Sequence, residues 1–485
     1  MIFVKFNRVV SGVLASSMLL GLLAGCGGNS DSASADNNAA ADSGAAQTGE
    51  PSGSVRILCN VTGGKDDAEM KLFQEALSEA TGLDVQMEKP ASDYDNVLMQ
   101  KLQGGEEYDL IYIGASQYMN LVEQGALMDI TDRVKASDIL SNNIDQQEWD
   151  DITVDGKVYA GFNKKELHRV VQLNKNDLEA VGIDYKSIEP TLDGYYEVFK
   201  ALRAANASSD YYPLNCVMSE SYDLQPWFAS LGLQYGVVVD EADGKTYAPY
   251  STDEAAPVWE WFKKLYDEKL LDPASFVDKT KDMRAKMEAS SKQTSVVVDW
   301  AMWTGLHNAH ATADGVADAD YEIVNLPGCK TPAGSEREYM LVKGGASLFA
   351  VPANAKNVDG AIKVLEYFAT QEGGELLSIG IEGNDYTKSG STYTQTALGA
   401  DHANDHGAPI PIYKDFVNPL GYNRGVEEAL TYLPYARIDR IIPDETTYKT
   451  TVGKWGIEMI KGNVSVADGL ASMRKELVSL GLTEK

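Results

Sequence analysis

Val55-Arg56-Ile57-Leu58-Cys59-Asn60-Val61 decides the fold, because its apolar run is too short for a core helix and is closed by the turn Thr62-Gly63-Gly64. It predicts a buried strand. Asp66 or Asp67 can cap a following helix, in which Met70, Phe73, Leu77 and Ala80 recur at helical spacing up to Gly82. Leu83, Val85 and Met87 alternate as a second strand. Tyr94, Val97, Leu98 and Leu102 predict a second helix, and Tyr108–Ile113 a third strand. Strand, helix, strand, helix, strand with short links implies a parallel, right-handed sheet. Ligands of such sheets sit beyond the carboxyl ends of the strands, here at Asn60–Gly63 and Gly114–Tyr118.

Working outward, the chain has 485 residues, enough for two or three domains, with ordinary hydrophobic and charged fractions of 44% and 24%. The net charge of −30 argues against nucleic acid, which needs a basic footprint, and against adhesion to anionic lipid through protein charge. Four cysteines rule out a disulfide scaffold. Upstream, Lys5 and Arg8 precede an apolar run from Val9 to Leu23, then Leu23-Ala24-Gly25-Cys26. A basic segment, an apolar segment and small residues at a cut site read as a secretory signal over residues 1–25. The run is short for a bilayer span of about 20 residues. Leu-Ala-Gly-Cys resembles a bacterial lipobox, which implies lipidation of Cys26 and anchoring to a membrane through acyl chains. Residues 26–54 are otherwise low in complexity, so nothing there offsets the cost of ordering; they read as a disordered tether of about 30 Å reach.

Several ordered pieces resemble the extracytoplasmic solute-binding proteins of ABC importers. They are Ala80-Thr81-Gly82-Leu83-Asp84-Val85, Tyr108-Asp109-Leu110-Ile111-Tyr112, Gly125-Ala126-Leu127 with Asp129-Ile130-Thr131, Asp155-Gly156-Lys157-Val158-Tyr159, Leu173-Asn174-Lys175-Asn176-Asp177-Leu178 and Leu265–Pro273. Phe162 stands where that family usually has proline. The likeness is nearest to the carbohydrate-binding branch. Gly380-Ile381-Glu382-Gly383 with Tyr386 resembles a subset associated with oligosaccharide uptake.

The resemblance implies an α/β, two-lobed periplasmic-binding-protein-like fold. Each lobe is a mostly parallel sheet flanked by helices, and a hinge leaves an interlobe cleft. It places residues 55–163 and 346–385 in an N-terminal lobe and 164–345 and 386–485 in a C-terminal lobe, with crossings near Phe162–Val170 and Val342–Phe349. It also implies a carbohydrate ligand, the transmembrane subunits of an ABC permease as partners, a monomer, and no cofactor.

Sugars present CH faces and dense hydroxyls, so a sugar site combines aromatic platforms with planar polar groups. Trp300 and Trp303 follow the strand-like Thr294–Val298 and are the first candidates. Tyr222 and Trp227 flank a Pro-containing stretch; Trp227 either meets ligand or plugs a lobe edge. Asp299 either accepts from a hydroxyl or caps a helix. Asn60 and Thr62, with Gln117 and Tyr118, occupy two strand ends, where turn capping is the alternative. Arg424 lies in the polar loop Tyr422-Asn423-Arg424 and is the last candidate.

Enzyme motifs fail. Gly114-Ala115-Ser116-Gln117-Tyr118 lacks the second glycine of a nucleophile elbow, and Gly244-Lys245-Thr246 lacks the earlier glycine of a P-loop. His307/His310 and His402/His406 have ligand-like spacing, but no cysteine or glutamate motif accompanies them, so no metal is expected. Asp240–Lys245 reads as a hairpin turn rather than a calcium loop. A glycoside hydrolase with a carboxylate pair is the rival from another class, since 72 acids are available. A peptide or polyamine ligand on the same fold is the other.

Overall fold

The reading of β1 (Ser54–Leu58) as a core strand follows its side chains: Val55, Ile57 and Leu58 are fully buried, while Ser54 and Arg56 face outward. The structure, a computed structural model, describes residues 52–60, 67–165, 167–344, 347–406, 409–437 and 444–485. The expected signal segment, Cys26, the tether up to residue 51 and Thr62 lie outside the described residues.

After β1 come α1 (Asp67–Thr81), β2 (Asp84–Glu88), α2 (Tyr94–Gln103), β3 (Leu110–Ile113), α3 (Ala115–Glu123) and α4 (Gln146–Ile152). α1 is held by Phe73 and Leu77, both fully buried. β4 (Ala160–Lys164) ends the first passage. β5 (Arg169–Asn174) opens the second, buried along its whole length. It continues through α5 (Leu192–Ala205), β6 (Leu214–Asn215), α6 (Ala256–Asp267), α7 (Thr280–Met287), β7 (Val296–Trp300), α8 (Ala301–Ala313), β8 (Ile323–Leu326) and β9 (Leu341–Val342). β10 (Ser347–Ala350) and α9 (Val358–Phe368) return to the first core; α10 (Ala397–His406), α11 (Glu445–Ile460) and α12 (Val466–Ser479) follow. Asp240–Lys245 does turn a hairpin, between Val238–Val239 and Thr246–Tyr247, and Asp240 and Asp243 both bind the Lys485 ammonium.

The first sheet has the order β2-β1-β3-β10-β4 and the second β8-β5-β7-β6. Each contains one reversed strand. β10 is antiparallel to β3 and β4, and β5 is antiparallel to β7 and β8. The reason is how the chain arrives. β5 comes directly from β4 and β10 directly from β9, so each enters its new sheet from the edge where the other strands end. Both sheets therefore present the carboxyl ends of their majority strands to the crossings. In the first sheet the order β2-β1-β3 also puts a topological switch point between β1 and β3.

Two hydrophobic cores match the two sheets. One joins Val55–Phe162 side chains to Leu348–Leu377 and Ile412. The other joins Val171–Val342 to Tyr448–Leu477, with α6, α11 and α12 packed through Trp259, Phe262 and Met459. The segment from 386 to about 418 departs from the lobe expected for it. Ile412 is buried in the first core, Lys414 N–H donates to Asn143 O at 2.9 Å, and Val417 N–H donates to Gln371 Oε1 at 3.0 Å. Asn423 and Val426 then pack on Gly305 of α8. Local sequence carries no mark of this, since Ile412 is buried in a core built mostly from segments far from it along the chain.

The crossings are tied together. His168 pairs with Lys343, and Lys165 with Ile410. Lys343 Nζ meets Glu148 Oε2 of α4 at 2.5 Å, and Lys165 Nζ meets Asp145 at 3.0 Å. His168 is wholly buried, its Nε2 2.9 Å from Ala429 O, and burial pushes its imidazole down to about 4. Unfolded histidine titrates near 6.5, so the unfolded chain takes up the proton first as pH falls. Stability from this group is complete above about pH 6.5 and is lost on going down to about pH 4, a span of about 3 kcal/mol. Urea titrations at pH 7 and pH 4.5 are expected to show this loss. His168→Gln, which keeps a donor toward Ala429, is expected to flatten that part of the profile.

Candidate functional site

Trp300 closes β7 at the cleft-facing edge of the second sheet, and α8 starts directly after it. Its ring stacks on the Arg169 guanidinium, whose carbon lies 4.2 Å from the ring centre. Tyr222 also meets the same guanidinium, at 4.3 Å, and its ring leans against that of Trp300 with centres 6.1 Å apart. Arg169 is the first residue of the reversed strand β5, which is why a cation stands at this edge.

Arg169 is 1% exposed and would be costly without partners. Its Nε meets Asp223 Oδ1 at 2.7 Å and its Nη1 meets Asp299 Oδ1 at 3.1 Å. Burial opposes the charge, but Asp223 outweighs it with Tyr222 and Asp299, so the guanidinium is held above its ordinary range. Asp299 then binds a second guanidinium: Arg284 of α7 donates from Nε to Oδ2 at 2.6 Å and from Nη2 to Oδ1 at 2.8 Å. Arg284 in turn lies 3.7 Å over the ring of Trp303. Two guanidiniums and two carboxylates thus interlock beneath three partly exposed aromatic rings, Tyr222, Trp300 and Trp303. Two formal positive charges meet two formal negative ones, so the platform is close to neutral.

Behind it, Glu288 Oε1 lies 3.0 Å from His307 Nδ1 and 3.2 Å from His310 Nδ1, with both imidazoles against Trp303. Among the described residues no group of three or more His, Cys, Asp or Glu has metal-binding geometry.

The first lobe offers polar groups at its own strand ends. Asn60 is exposed beyond β1. Gln117 accepts from Gly114 N–H at 2.9 Å and donates to Asp95 at 2.6 Å, which fixes the loop after β3. Asn163 at the end of β4 donates to the Ser347 hydroxyl at 3.3 Å, and that hydroxyl lies 3.4 Å from Tyr112 Oη.

The sequence candidates therefore separate. Trp300, Trp303 and Tyr222 come together. Asp299 joins them, but as a correction: it is fully buried and its oxygens serve two arginines and the Trp300 N–H, so it supports the platform rather than meeting ligand. Trp227 is a second correction. It is fully buried in the second core, edge-on to Tyr195 at 5.0 Å and near Trp261 at 5.3 Å, because the Pro-containing stretch turns inward as a short helix. Tyr118 is a third, 1% exposed with its hydroxyl donating to Ile152 O; one helical step places it inward while Gln117 stays at the surface. Arg424 is a fourth. It donates to the carbonyls of Asp318 and Tyr321, beside a surface depression of about 350 Å³ at the far end of α8. Sequence reading missed Arg169 and Arg284. The available signal was a lone arginine heading the apolar Val170-Val171, which demands a buried counter-charge.

Asp299→Asn would leave Arg169 and Arg284 short of a negative partner. Breaking a buried ion pair on one side costs about 3–5 kcal/mol. Chemical denaturation is expected to show a loss of that size, with Trp300 and Trp303 fluorescence altered before global unfolding.

Comparison with known proteins agrees with this architecture. The family model described as bacterial extracellular solute-binding protein matches residues 63–375, well over half of the chain. "Lipoprotein LipO" of Bacillus subtilis is 24% identical over 363 residues, 70% of this chain and 69% of its own. The fold is shared with the sugar-binding protein MalE from Xanthomonas citri, at a TM-score of 0.65 and 12% identity, covering 87% of this chain and 96% of that one. It is shared as well with a sugar transporter protein from Rhizobium etli in an open conformation, at a TM-score of 0.61 and 20% identity, covering 87% and 98%. Two hinged α/β lobes and the sequence match over both of them place the chain in the family of bacterial extracellular solute-binding proteins.

Proposed function

We propose that this protein is the substrate-binding component of an ABC importer, anchored outside the membrane through lipid on Cys26, and that it captures a neutral oligosaccharide by hinge closure and hands it to the permease. The observation that carries the ligand class is the charge-balanced platform of Tyr222, Trp300 and Trp303. Aromatic faces suit the CH faces of sugar rings. A polyamine would call for uncompensated carboxylates at this place, and here Asp223 and Asp299 are already spent on Arg169 and Arg284. The like-folded MalE and Rhizobium etli proteins are sugar-binding and sugar-transport proteins, which supports the same reading. The lipoprotein relative supports the anchor.

Closure needs a ligand that touches both lobes. Taking a population from 1:99 to 99:1 requires about 5.5 kcal/mol of differential affinity. The aromatic platform supplies one half of the contact. The polar groups at Asn60 and Gln117 supply the other.

Thermal-shift measurements with neutral oligosaccharides, peptides and polyamines test the ligand class. A glycan at a hundredfold excess over Kd is expected to add about 2.7 kcal/mol of stability. Trp303→Ala is expected to weaken that binding at least about tenfold, about 1.4 kcal/mol. Stabilisation by polyamines or peptides alone overturns the carbohydrate assignment. Steady release of shorter sugars from the bound glycan overturns the transport role in favour of a glycoside hydrolase.

A further inference from the structure

Past α9 the chain leaves the first core at Gly380 and comes back to the hinge at Ile410, which pairs with Lys165. Between them lie a hairpin, Tyr386–Ser389 against Thr392–Gln395, and α10. Asp385 is the root of this excursion. Its Oδ2 accepts from Ile381 N–H at 2.8 Å, and its Oδ1 lies 2.7 Å from His402 Nδ1. Thr396 caps α10 by accepting from Gly399 N–H while donating to the Asn384 and Asp385 carbonyls. The packing leaves no room for side chains. A Cβ on Gly380 (φ +89°) would stand 2.4 Å from Asp385 Oδ2, and one on Gly399 would fall on the Asp385 carbonyl. This gives the Gly380–Tyr386 motif a physical role: it builds the seat of α10.

From that seat α10 touches both lobes. His402 Nε2 lies 2.8 Å from Glu69 Oε1, in the first turn of α1. That turn follows β1 at the switch point of the first sheet. α10 also packs against α8, the helix that starts beside Trp300 in the second lobe. Glu69 and Asp385 are 9% and 5% exposed, so His402 is held by two shielded carboxylates, the stronger kind of hydrogen bond.

We propose that residues 380–406 form a strap across one mouth of the interlobe cleft, latched by Glu69–His402–Asp385, and that the protein therefore takes its glycan by a chain end rather than along an unbroken chain. The chain-end claim rests on the carbohydrate reading above; the strap does not. With the strap in that place, a glycan lying on Trp300 and Trp303 would run into α10 in one direction and protrude in the other.

Two measurements on the full chain test this. In hydrogen–deuterium exchange, His402→Gln and Glu69→Gln are each expected to speed exchange of α10 amides about tenfold, leaving α11 and α12 protected as in the wild type. Unchanged exchange in α10 overturns the latch. In binding assays, linear gluco-, manno- and xylo-hexaoses carry a fluorescent tag at either the reducing or the non-reducing end. The wild type is expected to reject one tagged form at least tenfold and tolerate the other, and His402→Gln to regain much of the rejected binding. Tolerance or rejection of both forms by the wild type overturns closure of a single mouth. If peptides or polyamines bind and no glycan does, the carbohydrate reading and the chain-end claim fall together, while the exchange result still decides the strap.

Discussion

Asp299 is the joint on which the aromatic face proposed to bind ligand in the second lobe depends. It follows three buried valines near the end of β7 and carries its charge to the sheet edge, where two arginines from different elements converge on it. Arg169 comes from the crossing strand and Arg284 from α7. Each arginine then backs one tryptophan. The tryptophans are therefore not free platforms on a loop: each has a guanidinium fixed against it. Buried ion pairs of this sort add little net stability, yet losing one member is costly. What they supply here is position.

The second organising constraint is the path of the chain. Passing between lobes by direct strand-to-strand links forces one reversed strand into each sheet. It also turns the carboxyl ends of both sheets toward the same hinge. The cleft is a consequence of that path. The hinge is itself polar: Lys165 reaches Asp145 just before α4, Lys343 reaches Glu148 within it, and His168 sits uncharged between the segments. Opening the lobes must therefore bend segments whose charges are already matched, which favours motion by small dihedral changes over rupture of contacts.

The β1–α1–β2–α2–β3 passage was legible because its signals are local. Short apolar runs, helical spacing and turn glycines all lie within a few residues of the elements they define. Trp300 and Trp303 were legible for the same reason, since they follow a recognisable strand end. Trp227 was not, because a tryptophan beside proline reads alike whether the turn faces solvent or the Tyr195–Trp261 cluster. Asp299 and Arg169 are 130 positions apart, and no local pattern joins them. The same holds for His402 and Glu69.

The sequence by itself determined the α/β class, the strands that carry the first sheet, the acidic character and the aromatic pair at the end of β7, because each rests on composition or on periodicity along the chain. Only the tertiary structure decided which charges neutralise one another, which aromatic residues are core, and that α10 lies between the lobes. Those facts depend on contacts between distant segments. A side chain's exposure and partner are set by what packs against it, and that is fixed only when the sheets have formed.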